Sequence, residues 1–280
     1  MKALAHEHAV HDLCAVLGVS RSGYYAWLAA PAGDRAQANT QLGAQIQRVF
    51  AEHRGRYGSP RVCAALRQQG VTCNVKRVAR LMQAQGLRAA TPKRYRVKTT
   101  DSDHDGPIAP NLLPEQVVTA PNQVWVVDIT YIPTGEGWLY LAGVLDLCSR
   151  KLVGWAMAEH LETSLPLSAL QMACHHRPPP PGLLHHSDRG VQYASADYRQ
   201  FLTDHGLVPS MSRQGNCYDN ATMESFWGTL KQELVHHLNY ATRAEARRSL
   251  FAWIETYYNR VRLHSAIGYK SPVDFENQLN

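Results

Sequence analysis

The chain has 280 residues, of which 45% are hydrophobic, 19% charged and 9% aromatic; these are globular values and argue against wholesale disorder or a fibrous repeat. The apolar run Leu139–Leu145 is far shorter than the roughly 20 residues a membrane helix needs, and the N-terminus has no apolar signal core, so neither a membrane span nor secretion is expected. Cys14, Cys63, Cys73, Cys148, Cys174 and Cys217 form no C-x-x-C pair, which speaks against a disulfide scaffold or zinc knuckle and for a reducing, cytoplasmic setting.

The net charge of +6 is unevenly spread. Residues 41–100 hold thirteen Lys or Arg and one acid, Glu52, so this stretch carries +12 and the rest of the chain about −6. A concentrated positive segment on a weakly acidic body points to a polyanion, most often nucleic acid.

The first 100 residues read as helical. Ala9–Leu17 is apolar-rich and ends at Gly18, and Ser20 can cap a second stretch through Trp27 that Pro31 stops. Ser59-Pro60 then reads as an N-cap and first helical residue, followed by Val62, Ala65 and Leu66, with Gly70 as the stop. Asn74 can cap a helix from Val75 to Gln85. It carries Lys76, Arg77 and Arg80 early and Val78, Leu81 and Met82 on its apolar side, the layout of a DNA-recognition helix. An ordinary hairpin with a charged outer face gives the same pattern. Lys93, Arg94, Arg96 and Lys98 follow directly and favour DNA. The domains expected are a helical segment at 1–39, a basic helix-turn-helix at 40–98, a linker rich in Asp and Pro at 99–122, and a core at 123–280.

The core opens on strands at Val124–Ile132, Trp138–Leu147 and Lys151–Ala158, joined by short turns as an antiparallel meander. A helix over Ser164–His175, a strand at Leu183–His186, a helix over Ser195–His205 and a strand at Leu207–Met211 come next. Long helices over Asn220–His237 and Thr242–Tyr258 close the pattern. The order β-β-β-α-β-α-β-α predicts an α/β core with a ribonuclease H-like mixed sheet and helices on both faces.

Three acids stand out. Asp128 sits in the apolar strand Trp125–Ile132, where a carboxylate is costly unless paired or bound to a cation; the solvated face of an edge strand is the alternative. Asp188 follows the fourth strand before Gly190, although Asp favours turns anyway. Glu224 falls in the first turns of a helix that Asp219 or Asn220 can cap, a place where acids also simply complement the helix dipole. Asp146 reads as a turn residue rather than a fourth ligand, and His186 as a positioning residue rather than a proton shuttle. Tyr193, Ser212, Asn216 and Tyr218 could line a DNA path or be ordinary loop residues. Trp125, Trp155, Trp227 and Trp253 read as core. His6, His8, His11 and Cys14 lack the second Cys pair of a zinc module.

The combination is more specific than its parts. Fifty-nine residues separate Asp128 from Asp188, thirty-five separate Asp188 from Glu224, and Lys231 follows Glu224 by seven positions, two turns along one helical face. With the strings WVVDITYI, LDLCSRKLVGW, HSDRGVQY, SMSRQGNCYDNATMESFWGTLKQEL and YYNRVRLHSAIGYKSP, the chain resembles the second-reading-frame protein of bacterial insertion-sequence transposases, which carries a retroviral-integrase-like DDE core. The resemblance covers residues 40–280 well.

It implies a DNA transposase in which Asp128 and Asp188 share metals, Glu224 holds one, and Lys231 approaches the DNA backbone. It implies two Mg²⁺ per active site, with Mn²⁺ as a substitute. The partners implied are terminal inverted repeats and target DNA, a homo-oligomer on DNA, and an upstream-frame partner or fusion supplying the multimerisation segment. The setting implied is the nucleoid of a bacterium. A non-catalytic DNA-binding regulator of transposition is the alternative; three convergent carboxylates argue against it. A structure-selective nuclease is a third reading, against which the basic N-terminal segment stands.

Overall fold

The computed structural model describes residues 1–29, 33–89, 106–213 and 220–279. The chain divides into two compact units, Met1–Ala89 and Ala90–Asn280.

The first unit is helical throughout. Helices α1 (Val10–Leu17) and α2 (Arg21–Ala29) pack on each other, and α3 (Asp34–Glu52), α4 (Ser59–Gln68) and α5 (Val75–Ala84) pack pairwise. Ile46, Val49, Tyr57, Val62, Leu66 and Val78 fill the space between the latter three. The cap of α5 is the expected one: the Asn74 side chain accepts a hydrogen bond from the Arg77 N–H at 3.2 Å. The cap of α4 is not. Its N-cap is Gly58, extended at φ −78° and ψ 173°, so Ser59 is already helical and caps nothing. Helix α3, at 19 residues, has polar side chains and a central Gly43 that hide its apolar stripe, so the sequence pattern does not mark it as a separate helix.

The second unit is built on a five-stranded sheet of order β3-β2-β1-β4-β5. The meander is β1 (Val124–Thr134), β2 (Gly137–Asp146) and β3 (Leu152–Ala158), antiparallel throughout. Helix α6 (Ser164–His176) then crosses to β4 (Leu184–Ser187), which runs parallel to β1. The short α7 (Val191–Ala194) and α8 (Ala196–Asp204) lead to β5 (Val208–Met211), parallel to β4. This is the ribonuclease H-like mixed sheet expected from the sequence.

Alternation along β1 separates the two faces. Val124 and Val126 join one core with α9 (Ala221–Glu233) and α10 (Arg243–Ala252), whereas Trp125 and Val127 join the other with α6 and α8. The approach of α6 to β3 depends on Gly154, because a Cβ there would collide with the Ala169 carbonyl oxygen and with Ala173. The last helix, α11 (Pro272–Asn277), is held through Glu276. Arg177 meets it with two N–H groups at 2.9 and 2.7 Å, and Lys151 meets it at 2.9 Å.

Two long helices are shorter than the sequence suggests. The one expected over Asn220–His237 ends at Glu233 and continues as a 3₁₀ turn over Val235–His237. The one expected over Thr242–Tyr258 is α-helical to Ala252 and then widens into a π-helix over Trp253–Tyr258. The wider turn brings the buried Trp253 and Tyr258 rings 5.1 Å apart, both against Phe226. Residues 107–113 of the stretch read as linker lie along β5: the Leu112 N–H donates to Ser210 Oγ at 2.9 Å. Among the described residues no helix is long and apolar enough to cross a membrane.

Candidate active site

The register of the sheet brings two of the three acids together. In the parallel pair of β1 and β4, Val126 lies opposite His186. Asp128 comes two residues further along β1 and Asp188 immediately after the end of β4, near enough for its charge to act on Asp128. Asp128 shares the face of Val124 and Val126, the face that α9 covers. Glu224 stands exposed in the first turn of α9.

Asp128 feels the charges of the other two. The Asp128 carboxyl is pushed up to about 8, chiefly by burial and then by the negative charge of Asp188, with a smaller push from Glu224. Two donors oppose the shift. The Ile129 N–H reaches Asp128 Oδ1 at 2.8 Å, and the Trp227 indole N–H reaches Oδ2 at 3.0 Å. Asp188 Oδ1 accepts the Gly190 N–H at 2.9 Å, which fixes the loop after β4. A carboxylate whose ionisation is made costly by two neighbouring acids is a site that a cation relieves, and carboxylate oxygens suit a hard ion such as Mg²⁺. Among the described residues no three metal-ligating side chains already converge on one point.

Helix α9 is set against β1 by a bond the sequence does not suggest. Its pattern makes Asn220 a candidate cap. Instead the Asn220 side chain is buried, makes no cap, and donates from Nδ2 to the Val127 carbonyl at 3.1 Å, beside Asp128. Asp219, Asn216 and Tyr218 lie outside the described residues. From this anchor Glu224, Trp227 and Lys231 follow along one side of the helix. Lys231 is half-buried, with Nζ 4.7 Å from the centroid of the Tyr131 ring. Burial lowers its pKa, and the charge of Asp128 works in the opposite direction.

The neighbouring polar residues are structural. Asp146 is fully buried; its Oδ1 accepts from Cys148 N, Ser149 N and Ser149 Oγ, and its Oδ2 from Asn122 N, so it ties the β2–β3 turn. His186 is buried between Ser210 Oγ at 2.9 Å and Ser212 Oγ at 3.1 Å, which suits positioning and leaves it no path to solvent. Tyr193 is buried beneath the site, not on a DNA path, and among the described residues its hydroxyl meets no partner.

In the first unit, Lys76 and Arg80 are exposed, while Arg77 is half-buried and donates its Nε–H to Asn39 Oδ1 at 3.0 Å. All three line an open groove of about 760 Å³ with Asp34, Arg35 and Asn74. Lys93, Arg94 and Arg96 lie outside the described residues.

A mixed sheet of this order, preceded in the chain by a basic helical unit, is the architecture of the integrase-core class, and the sequence matches that class directly. Residues 118–217 and 205–272 each match a model described as Integrase core domain, and residues 36–95 match one described as HTH-like domain. The chain belongs to the insertion-sequence transposase family. It is 46% identical over 269 residues to the insertion element IS600 31 kDa protein of Shigella sonnei, covering 96% of this chain and 98% of that one. It is 42% identical over 275 residues to transposase InsF for insertion sequence IS3A of Escherichia coli K12, covering 97% and 95%. Among solved structures, the HTLV-2 integrase catalytic core domain in complex with magnesium aligns at 18% identity and a TM-score of 0.43, over 56% of this chain and 97% of that chain.

Proposed function

We propose that this chain catalyses divalent-metal-dependent DNA strand cleavage and strand transfer at insertion-sequence ends, with Asp128, Asp188 and Glu224 as the metal-holding carboxylates. The observation that carries this reading is the placement of Asp128 within β1, where desolvation first, then the charge of Asp188 just past β4, and least the charge of Glu224 at the start of α9 push its carboxyl up. Such repulsion is costly in a merely structural site and is relieved by cations. When bound, two Mg²⁺ ions, or Mn²⁺ in their place, stabilise charge developing on the attacking and leaving oxygens of a phosphodiester.

The chain's own residues do the rest. Asp128, Asp188 and Glu224 supply hard oxygen donors from a strand centre, a strand end and a helix start. Lys231, two turns beyond Glu224 and within the field of Asp128, offers a positive charge for the DNA backbone. Lys76 and Arg80, with Arg77 and the basic residues Lys93, Arg94 and Arg96, contact the terminal repeat and set the register of the end to be cut. No protein nucleophile is required, since water and then a DNA 3′-hydroxyl attack. The longest described helix is α3 at 19 residues, short of three heptads. Pairing of two ends therefore comes from assembly on DNA or from a second chain such as an upstream-frame product. The site of action is the nucleoid.

The test is incubation with labelled terminal-repeat DNA and Mg²⁺, with products resolved by strand. Changing Asp128, Asp188 or Glu224 to the amide is expected to abolish cleavage and leave end binding intact. Strand transfer by Asp128→Asn near the wild-type rate would refute the assignment.

A further inference from the structure

Trp227 reads from the sequence as one more core aromatic, and three of its neighbours on α9, Met223, Phe226 and Leu230, are that and nothing more. Its indole differs. Although the side chain is buried, its N–H points back to the sheet and ends on Asp128 Oδ2 at 3.0 Å. A bulky ring can lie there only because the strand beneath it leaves a gap. On β2, Leu139, Leu141 and Leu145 line the face toward α9, and the residue that continues their alternation is Gly143. The register sets Gly143 directly opposite Asp128. A Cβ at Gly143 would meet Trp227 Cη2 at 3.0 Å, Leu152 Cδ1 at 3.1 Å and Trp227 Cζ2 at 3.3 Å; two of the three atoms belong to the indole, and the approach is closer than a ring in a packed core accepts without moving.

We propose that Trp227, seated in the notch left by Gly143, is a positioning residue that holds Asp128 in its metal-binding orientation. With Ile129 N–H on Oδ1 and the indole N–H on Oδ2, both carboxylate oxygens are fixed from the protein side. Each oxygen keeps a second lone pair for a cation. The side chain cannot rotate without breaking one of the two bonds. Partners that orient a ligating carboxylate in this way typically govern metal affinity by roughly 10–100-fold. Gly143 acts through the ring and touches no ligand. This proposal rests on the reading of Asp128 as a metal ligand, and the experiment separates the two.

Mn²⁺ binding to the full-length, DNA-free protein is measured by loss of the free-ion EPR signal for wild type, Asp128→Asn, Trp227→Phe and Gly143→Ala. Trp227→Phe keeps an aromatic ring and removes the N–H. It is expected to weaken Mn²⁺ binding by roughly 10–100-fold. The Mg²⁺ concentration for half-maximal cleavage is expected to rise by the same factor, while the rate at saturating metal stays close to that of wild type. Gly143→Ala is expected to weaken Mn²⁺ binding in the wild-type background and to add nothing to Trp227→Phe, because its methyl acts by displacing the indole. If Trp227→Phe does not fold, benzothienylalanine at position 227 keeps the bicyclic shape and removes only the donor. Binding by the N–H-free variant as tight as wild type, with Asp128→Asn defective, overturns this proposal alone. Additive effects of the two substitutions overturn it too. Equal binding by wild type and Asp128→Asn overturns the metal-site reading and this proposal with it.

Discussion

Asp128→Asn should make the metal-free protein more stable while leaving it inactive. The Asp128 carboxyl is held at about 8 in the fold against 3.8 in an unfolded chain. Folding therefore favours its protonated form, and its contribution to stability falls as pH rises from 3.8 towards 8. One pH unit is worth about 1.4 kcal/mol, so at pH 7 the penalty is bounded by about 4 kcal/mol. The amide removes that penalty. It also loses one hydrogen bond of about 1 kcal/mol, since it cannot accept from both the Ile129 N–H and the Trp227 indole. With partial relaxation of the site, the net gain is about 2 kcal/mol, or roughly 4–8 °C in Tm for a unit of this size. Tryptophan fluorescence during urea unfolding in EDTA reports it, because five of the six tryptophans, Trp125, Trp138, Trp155, Trp227 and Trp253, belong to the second unit. Slopes from groups that do not interact with Asp128 are common to both proteins and cancel in the difference. The stability gap between variant and wild type should widen from pH 5 to pH 8. A variant less stable than wild type at pH 8, or a gap that does not change with pH, would refute the electrostatic account of the site.

Other consequences follow from groups outside the carboxylates. Glu233, near the end of α9, is buried against Arg262, whose Nε and second amino group reach Glu233 Oε1 at 3.0 and 2.8 Å. Glu233→Gln leaves a buried guanidinium unmatched and is expected to cost about 3–5 kcal/mol in urea unfolding, whereas an exposed pair would cost under about 1. His185 is buried on Tyr198 Oη at 2.9 Å, and burial lowers its pKa from 6.5 to about 3. The unfolded chain takes up that proton first, so stability should drain away as pH falls from 6.5 towards 3. His185→Phe, which has no proton to gain, should show a shallower acid limb in the same titration. Replacing Lys76, Arg77 and Arg80 together with Ala should reduce the slope of log K against log salt for terminal DNA by about one unit for each phosphate no longer neutralised. Because Arg77 is already engaged by Asn39, a reduction nearer two units than three is expected.

Periodicity carried most of the fold. Strands β1 to β3 are dense in β-branched and aromatic residues and joined by short turns, so local sequence alone specifies the meander. The basic pattern of α5 and its Asn74 cap are likewise local, and the candidate carboxylates could be picked out because an acid in Trp125–Ile132 contradicts its surroundings. Helix ends were less legible. Gly58 rather than Ser59 is the N-cap of α4, and the π-turn over Trp253–Tyr258 exists because two buried rings must both reach Phe226, a demand made by packing and invisible in the local pattern.

The functional supports were hidden for the same reason. Asn220 looks like a helix cap until β1 supplies the Val127 carbonyl as a better partner. Trp227 looks like core until the register of β1 and β2 sets Gly143 opposite Asp128 and opens the notch for its indole. Sequence determined which groups this chain carries and the strands and helices that carry them, because propensity and periodicity act over a few neighbouring residues. Which groups face one another was decided by strand register and by the seating of α9 on the sheet, because hydrogen bonds and charge interactions depend on distances between residues as far apart in the chain as Asp128 and Trp227.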